Sequence, residues 1–335
     1  MAGPALNNDL TDIAGLRVGQ AENEAVRTGT TIIVCDRPAI AAVDVRGGGA
    51  CTRETDVMNP GGLVETVNAI ALSGGSVYGL AAADAVTAAL GETRTGFELF
   101  ETPGVPVSPI VPAACLYDLA NGGDKAWARE PPYRALGFAA LDDARRGAPV
   151  RLGRAGAGYG ASAGAHPGAI GSASVKTEDG ITVAALVAVN SFGSVTMPGQ
   201  DDVYWAWPFE MDGEFGAGRP DPSARFGAED WGAAKMNPAP PADRRTQTTL
   251  AVVATDAALT RDEARRFAVM AQDGLARAIR PVHTPLDGDV VFALATGAHK
   301  VAEPRPITLA RLGSLGADTL ARAVARGVHA ARKLS

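Results

Sequence analysis

Short apolar stretches that end at turn residues, and longer ones whose apolar residues recur on one face, predict an α/β protein. Its sheets should be covered by helices on their outer faces. The strand stretches are alternating or wholly apolar, and the helix stretches carry a single apolar face. A Glu-Asp-Gly turn between the apolar runs of 171–190 adds a clear hairpin.

From the amino end, TGTTIIVC (28–35) and IAAVDVRGG (40–48) are predicted strands separated by Asp36-Arg37-Pro38. RGGGACTRETD is a polar, Gly-rich loop. LVETVNAIALSGGS begins with helical spacing at Leu63, Val67 and Ile70 and stops at Gly74-Gly75, so a helix is expected there. VYGLAAADAVTAAL (77–90) is an Ala-rich helix, apolar enough to be buried on most sides. Pro106, Pro109 and Pro112 keep VPVSPIVPAACLYDL extended to Pro112, and YRALGFAALDDARRG is an amphipathic helix. GRAGAGYGASAGAHPGAIGS (153–172) holds too much Gly for regular structure. After the hairpin, residues 193–247 form one long irregular region with Trp205, Trp207 and Trp231. Such a stretch in a compact chain is usually functional, mobile or processed. Order then returns: TTLAVVAT is a strand, and LTRDEARRFAVMAQDGLARAIR is a helix with a Thr260–Glu263 capping box. DVVFALAT is a strand, and LGADTLARAVARGVHAAR is a helix with Leu320, Val324 and Val328 on one face.

The 335 residues, 46% hydrophobic and 20% charged, can bury a large core without metals or disulfides. That length fits about two average domains or one large layered domain, and no repeat of fixed period divides it. A net charge of −6 gives no basic footprint for nucleic acid or an anionic membrane. Cys35, Cys51 and Cys115 are widely spaced and form no CxxC pair, which argues against a zinc site or a disulfide framework. Cys51 follows a glycine run and reads either as a nucleophile or as a small, half-buried thiol. MAGPALNNDLTD lacks the pattern of a signal peptide, and no apolar run reaches the ~18 residues of a membrane span. A cytoplasmic protein is expected.

Histidine is scarce: His166, His283, His299 and His329. SGGSVYG does not match the G-x-S-x-G nucleophile elbow, so a Ser-His-Asp hydrolase is not supported. GRAGAGYGASAG matches neither phosphate-binding Gly motif, and no cofactor is expected. What remains is NPAPPADRRTQTTLAVVATD (237–256), where a proline-rich segment runs into Thr248-Thr249 and then a buried strand. Threonine can be there because it favours strands and bonds locally at their start. Alternatively, a Thr that becomes the first residue of a chain carries a free α-amine beside its hydroxyl. That amine has an ordinary pKa of about 7.7–8.0 and can take the hydroxyl proton without histidine. Asp287 and Asp289, flanking Gly288 before the last strand, are either a turn or carboxylates that orient a protonated group.

The chain resembles the self-processing L-aminopeptidase/D-esterase (DmpA-type) family, which includes the nylon-oligomer hydrolases. The segments that carry the resemblance run from about residue 10 to about 330. They are AAVDVRGGGACTRETD, NAIALSGGSVYGLAAADAV, VSPIVPAACLYDL, RAGAGYGASAG with GAIGSASV, VAALVAVNSFG, TQTTLAVVATD and PVHTPLDGDVVFALAT. The resemblance implies one hydrolase domain over 1–335 with a four-layer αββα sandwich like that of N-terminal-nucleophile hydrolases. It implies self-cleavage between Gln247 and Thr248, giving an α chain 1–247 and a β chain 248–335 with Thr248 as nucleophile. Asn190 matches the family Asn that helps bind the oxyanion, and Tyr117 an active-site Tyr. Asp287 and Asp289 match acids that hold the nucleophile and its amine. No metal is implied. Substrates are small amides, short peptides or amino-acid oligomers, and members usually assemble as tetramers or larger. Two positions depart from the family. Ala165 follows YGASAG where many members have Lys, so a cation would come from elsewhere, for example Lys176 or Arg46. Gln247 precedes the nucleophile where relatives often have Asn or Gly. Were the chain to remain uncut, the remaining reading is a non-catalytic member that binds small amino compounds.

Overall fold

The computed structural model describes residues 3–236 and 247–334. Among the described residues nine strands form one hydrogen-bonded sheet: β1 (Leu16–Asn23), β2 (Thr28–Val45), β3 (Thr52–Arg53), β4 (Thr66–Ser73), β5 (Ala113–Cys115), β6 (Ala169–Lys176), β7 (Thr182–Val189), β8 (Leu250–Ala257) and β9 (Val290–His299). Their order is β3-β5-β4-β2-β9-β8-β7-β6, with β1 on β2. The β4/β5 and β8/β9 pairs are parallel, and the rest are antiparallel. Helices α1 (Ala81–Glu92), α2 (Tyr133–Arg146), α3 (Arg261–Ala278) and α4 (Arg305–Lys333) complete the frame.

The layers follow from the period-2 alternation of a strand. Leu250, Val252 and Ala254 of β8, Leu186 of β7 and Phe292 of β9 point into one central apolar layer. Their neighbours Ala251, Val253, Val187 and Val291 pack against α3 and α4. On the other side, Ile33 of β2 and Ile70 and Leu72 of β4 enter the central layer, while Ile32, Ala69 and Ala71 pack against α1 and α2. Three apolar layers between helices, sheet, sheet and helices make a four-layer αββα sandwich. Strands covered on both faces read as near-continuous apolar runs. Each fully buried Val, Leu, Ile or Phe among them contributes about 1.5–3 kcal/mol.

Strand β2 joins the two layers. Its first part pairs with β1 and β4, and its last part with β9. The two strands expected at 28–35 and 40–48 are therefore one, with a register shift between Val34 and Ala39. Asp36, Arg37 and Pro38 are exposed at the shift, where a residue without an N–H interrupts no ladder. The helix expected from Leu63 is instead strand β4. Thr66, Val67 and Ile70 are β-branched, and a short, almost wholly apolar run carries no period that separates helix from strand. The capping box of α3 forms as expected. Helix α4 starts ten residues earlier than its periodicity suggests. Its Gly313 and Gly316 do not end it but let Met270 and Phe267 of α3 come close.

Residues 193–236 hold a small ribbon, Thr196–Met197 with Gln200–Tyr204, and little other regular structure. Buried Arg322 of α4 anchors this segment through Glu214, at 2.5 and 2.9 Å, and also donates to the Ser174 carbonyl and Asn8 Oδ1. Trp205 packs with Phe226 and Arg280, Trp207 lies under Arg219, and Trp231 packs on Phe192. The proline-rich stretch 237–246 lies outside the described residues. Among the described residues no helix is long and apolar enough to cross a membrane.

Candidate active site

Thr248 and Thr249 lead into β8 between two neighbouring strands. The Thr248 N–H donates to the Asn190 carbonyl just past β7 (2.8 Å), and the Thr249 carbonyl accepts from Val290 N–H of β9 (3.0 Å). Thr248 is buried, and its Oγ1 donates to the carbonyl oxygen of Gln247 at 2.5 Å. Its hydroxyl thus lies against the peptide group that precedes it. A Cβ on Gly288 would fall 2.6 Å from Thr248 Oγ1, so only glycine leaves the hydroxyl its space.

Asn190 is buried and makes four bonds. Its carbonyl takes Thr248 N–H, and its Nδ2 donates to the Tyr117 carbonyl (3.0 Å). Its Oδ1 accepts from Ser162 N–H and from Lys235 Nζ, both at 3.1 Å. Two donors on one side of the amide identify that side as oxygen. An amide nitrogen carries two protons, so one N–H of Nδ2 is left for a substrate carbonyl. Tyr117 is half-buried, and its hydroxyl bonds no other described residue. It borders two cavities, each of about 300 Å³. One contains Thr248, Gln247, Cys51, Ser76, Cys115 and Leu286, and the other opens on Asn190.

The two acids stand one shell further out. Asp287 accepts from Phe192 N–H (3.2 Å) and from the Thr284 N–H and hydroxyl (2.9 and 2.7 Å). Asp289 accepts from Thr249 N–H (2.8 Å) and from His283, through its N–H (3.1 Å) and Nδ1 (2.8 Å). Burial, and then the neighbouring Asp289 charge, raise the pKa of Asp287 above the ordinary carboxylate value. The carboxylates therefore tie the 283–289 loop to the end of β7 and to the start of β8. Neither bonds Thr248 itself in the intact chain. None of the four histidines hydrogen-bonds Thr248 either: His166 meets Thr196, His283 Asp289, His299 Asp256 and His329 Tyr204.

Thr248, Asn190 and Tyr117, distant in sequence, are thus brought together directly. The cation is Lys235, which the sequence reading did not single out. Lys176 is exposed at the end of β6, and Arg46 bonds Asp44 and the Val269 carbonyl. Ala165 meets the Lys235 segment through its backbone, donating to the Ala233 carbonyl at 2.7 Å. Lys235 lies in an irregular segment without periodicity, so spacing could not have found it. Cys51 lies opposite Cys115 across the β3/β5 pair, and Cys115 N–H donates to the Cys51 carbonyl (2.9 Å). The Cys115 side chain, then Ser76, lower the Cys51 thiol pKa, while burial pushes that of Cys115 well up.

A family model for peptidase family S58 matches residues 8–335. The chain belongs to this family. An uncharacterized aminopeptidase of Mycobacterium tuberculosis (strain ATCC 25618 / H37Rv) is 40% identical over 96% of this chain and 93% of its own. A 6-aminohexanoate-oligomer endohydrolase of Kocuria sp. (strain KY2) is 31% identical over 85% of this chain and 74% of its own. Among solved structures, a Burkholderia sp. beta-aminopeptidase has a TM-score of 0.69 at 24% identity, covering 98% of this chain and 88% of that one. The L-aminopeptidase D-Ala-esterase/amidase from Ochrobactrum anthropi, a variant of the Ntn hydrolase fold, has a TM-score of 0.68 at 20% identity, covering 98% and 87%. The four-layer sandwich of the Ntn hydrolase fold is thus shared, and as a member of peptidase family S58 the chain is an amide hydrolase.

Proposed function

We propose that the S58 chain cuts itself between Gln247 and Thr248, and that the freed Thr248 then hydrolyses small amide, short-peptide or amino-acid-oligomer substrates. The observation that carries this reading is the buried Thr248 hydroxyl held on the Gln247 carbonyl at 2.5 Å, with no histidine among its hydrogen-bond partners. In the first reaction Oγ1 bonds the Gln247 carbonyl carbon, the bond to Thr248 N breaks, and that nitrogen takes the hydroxyl proton. Water then hydrolyses the resulting ester to a Gln247 carboxylate and a free Thr248. In each later turnover the Thr248 amine accepts the Oγ1 proton as the oxygen attacks the substrate carbonyl. Asn190 Nδ2 stabilises the oxyanion, and the amine returns the proton to the leaving nitrogen. Water completes the cycle by hydrolysing the acyl ester.

The acids support this chemistry by holding the Thr249 N–H and the 283–289 loop, which keeps the first residue of the new chain aimed once its covalent tether is gone. Amino-terminal sequencing of the purified protein should give a second chain beginning Thr-Thr-Leu-Ala. A single uncut chain that hydrolyses aminoacyl anilides at full rate overturns the proposal.

Lys235 is a positioning residue in this scheme, since it orients the Asn190 amide through Oδ1. A hydrogen bond to a charged group contributes about 1.5–3 kcal/mol. Lys235 is only partly buried, so Lys235→Met is expected to lower kcat roughly tenfold with little change in KM, checked by steady-state kinetics on an anilide. Cys51 shares the Thr248 cavity, so a reagent on its thiol obstructs substrate whether or not sulfur reacts with it. Iodoacetamide should therefore inactivate the wild type, while Cys51→Ala stays active and becomes resistant. Loss of hydrolysis in Cys51→Ala, with the chain still cut at Thr248, would make sulfur the nucleophile instead.

A further inference from the structure

The cavity that opens on Asn190 is separate from the one that holds Thr248, and Tyr117 borders both. Its polar wall includes Arg27, Arg154, Asn121, Ser162 and His166. Many arginines of this chain find carboxylates, as Arg322 finds Glu214 and Arg305 finds Glu263. Among the described residues Arg27 and Arg154, like Arg129 and Arg280, form no ion pair, but these two share the wall of one cavity. The one carboxylate in the wall, Asp118, is already used: its oxygens accept from Thr28 Oγ1 (2.6 Å) and Gly75 N–H (2.7 Å), and Lys125 lies near enough to offset its charge. Burial lowers the pKa of His166, so that ring adds no charge at neutral pH. Two exposed guanidinium groups with no carboxylate partner among the described residues thus line the cavity that opens on Asn190.

The Arg154 side chain is braced, and the Arg27 backbone is fixed. The Arg154 guanidinium lies 5.4 Å above the Tyr159 ring, and the residue before it, Gly153, bridges Ile170 of β6. Arg27 has a φ of 55°, a left-handed conformation uncommon for a residue with a side chain. Here Asn121 Nδ2 enforces it, donating to the Arg27 carbonyl (2.5 Å) and to the Gly160 carbonyl (3.0 Å). A guanidinium matches a carboxylate with two parallel hydrogen bonds and holds its charge at every working pH.

We propose that this cavity binds a carboxylate of the substrate, which makes the enzyme selective for short peptides with a free carboxyl end. The inference rests on Thr248 as nucleophile and Asn190 as oxyanion donor. A leaving amino acid carries its carboxylate about 3.5 Å beyond the scissile carbon, and the proposal directs it past Tyr117, which borders both cavities, towards the one that Asn190 walls. A longer chain or a capped end carries no charge there and leaves both guanidinium groups unmatched.

The test compares substrates that differ by one charge. L-Ala-L-Ala should be cleaved with a kcat/KM at least tenfold above that of its carboxyl-terminal amide, the scale of one charge-assisted hydrogen bond. In Arg27→Met/Arg154→Met that ratio should fall towards one, whereas a merely structural defect lowers both substrates alike. Glutamyl against glutaminyl anilide forms the second arm, and a preference there assigns the carboxylate to the acyl side. Titration calorimetry of wild-type protein with the reduced-amide isostere of Ala-Ala, as acid and as carboxamide, reads the same difference without turnover. Equal affinity for acid and carboxamide overturns the carboxylate site. Tenfold tighter binding of the acid together with no hydrolysis of any amide upholds it and sinks the catalytic reading instead.

Discussion

Thr248→Ala is expected to yield one chain of full length that hydrolyses no aminoacyl anilide. Both losses have the same origin. The methyl of Ala cannot bond the Gln247 carbonyl, so the oxygen that would open that peptide group is missing, and with it the amine that would serve as base. Intact mass reads the first loss and anilide release the second. Folding should be nearly unchanged, since the removed hydroxyl bonds only its neighbour's carbonyl. Thr248→Ser separates the two requirements from packing: it keeps the oxygen, and should still be cut and still turn over. A Thr248→Ala protein that appears as two chains, or one that hydrolyses anilides at the wild-type rate, would end the proposal.

Asn190→Ala is the second large effect. Removing one oxyanion donor typically costs about 10²–10³ in kcat. Here the same change also strips the acceptor from Ser162 N–H and Lys235 Nζ. Leaving a buried donor unsatisfied costs about 1–3 kcal/mol. The variant should therefore show a fall of that size in kcat on anilides and a lower Tm. The two can be told apart by temperature: the stability loss vanishes from kinetics measured well below the transition, and the oxyanion loss does not. A variant with unchanged kcat would remove Asn190 from the chemistry.

Much of this arrangement was legible in the sequence because it rests on local signals. The capping box of α3, the 171–190 hairpin and the Thr pair ahead of an apolar strand each occupy a few adjacent residues, and each forms as read. What failed was of two kinds. Strand β4 reads as a helix in the sequence because a stretch buried on both faces loses the alternation that marks a strand. Helix α4 was cut short because glycines that serve close packing look like glycines that end helices. The site shows the same division. Thr248, Asn190 and Tyr117 sit at the ends of recognisable elements. Lys235 lies in a segment held in place by distant partners, such as Arg322 gripping Glu214, and nothing local announces it. The acids were found but act on Thr249, Phe192 and His283 rather than on Thr248 in the intact chain.

Strands β8 and β9 lie in the middle of the hydrogen-bonded path, with β7 on one flank and β2 on the other. Under the proposed cleavage both would belong to the piece that begins at Thr248, and both flanking strands to the piece that ends at Gln247. Severing the chain there does not free a subunit, because each fragment is sewn through the other. If the chain is cut as proposed, the assembled molecule must come first and the scission second. Once denatured, the halves have to find each other by diffusion, so recovery of the native state becomes second order in protein, unlike that of the unbroken precursor.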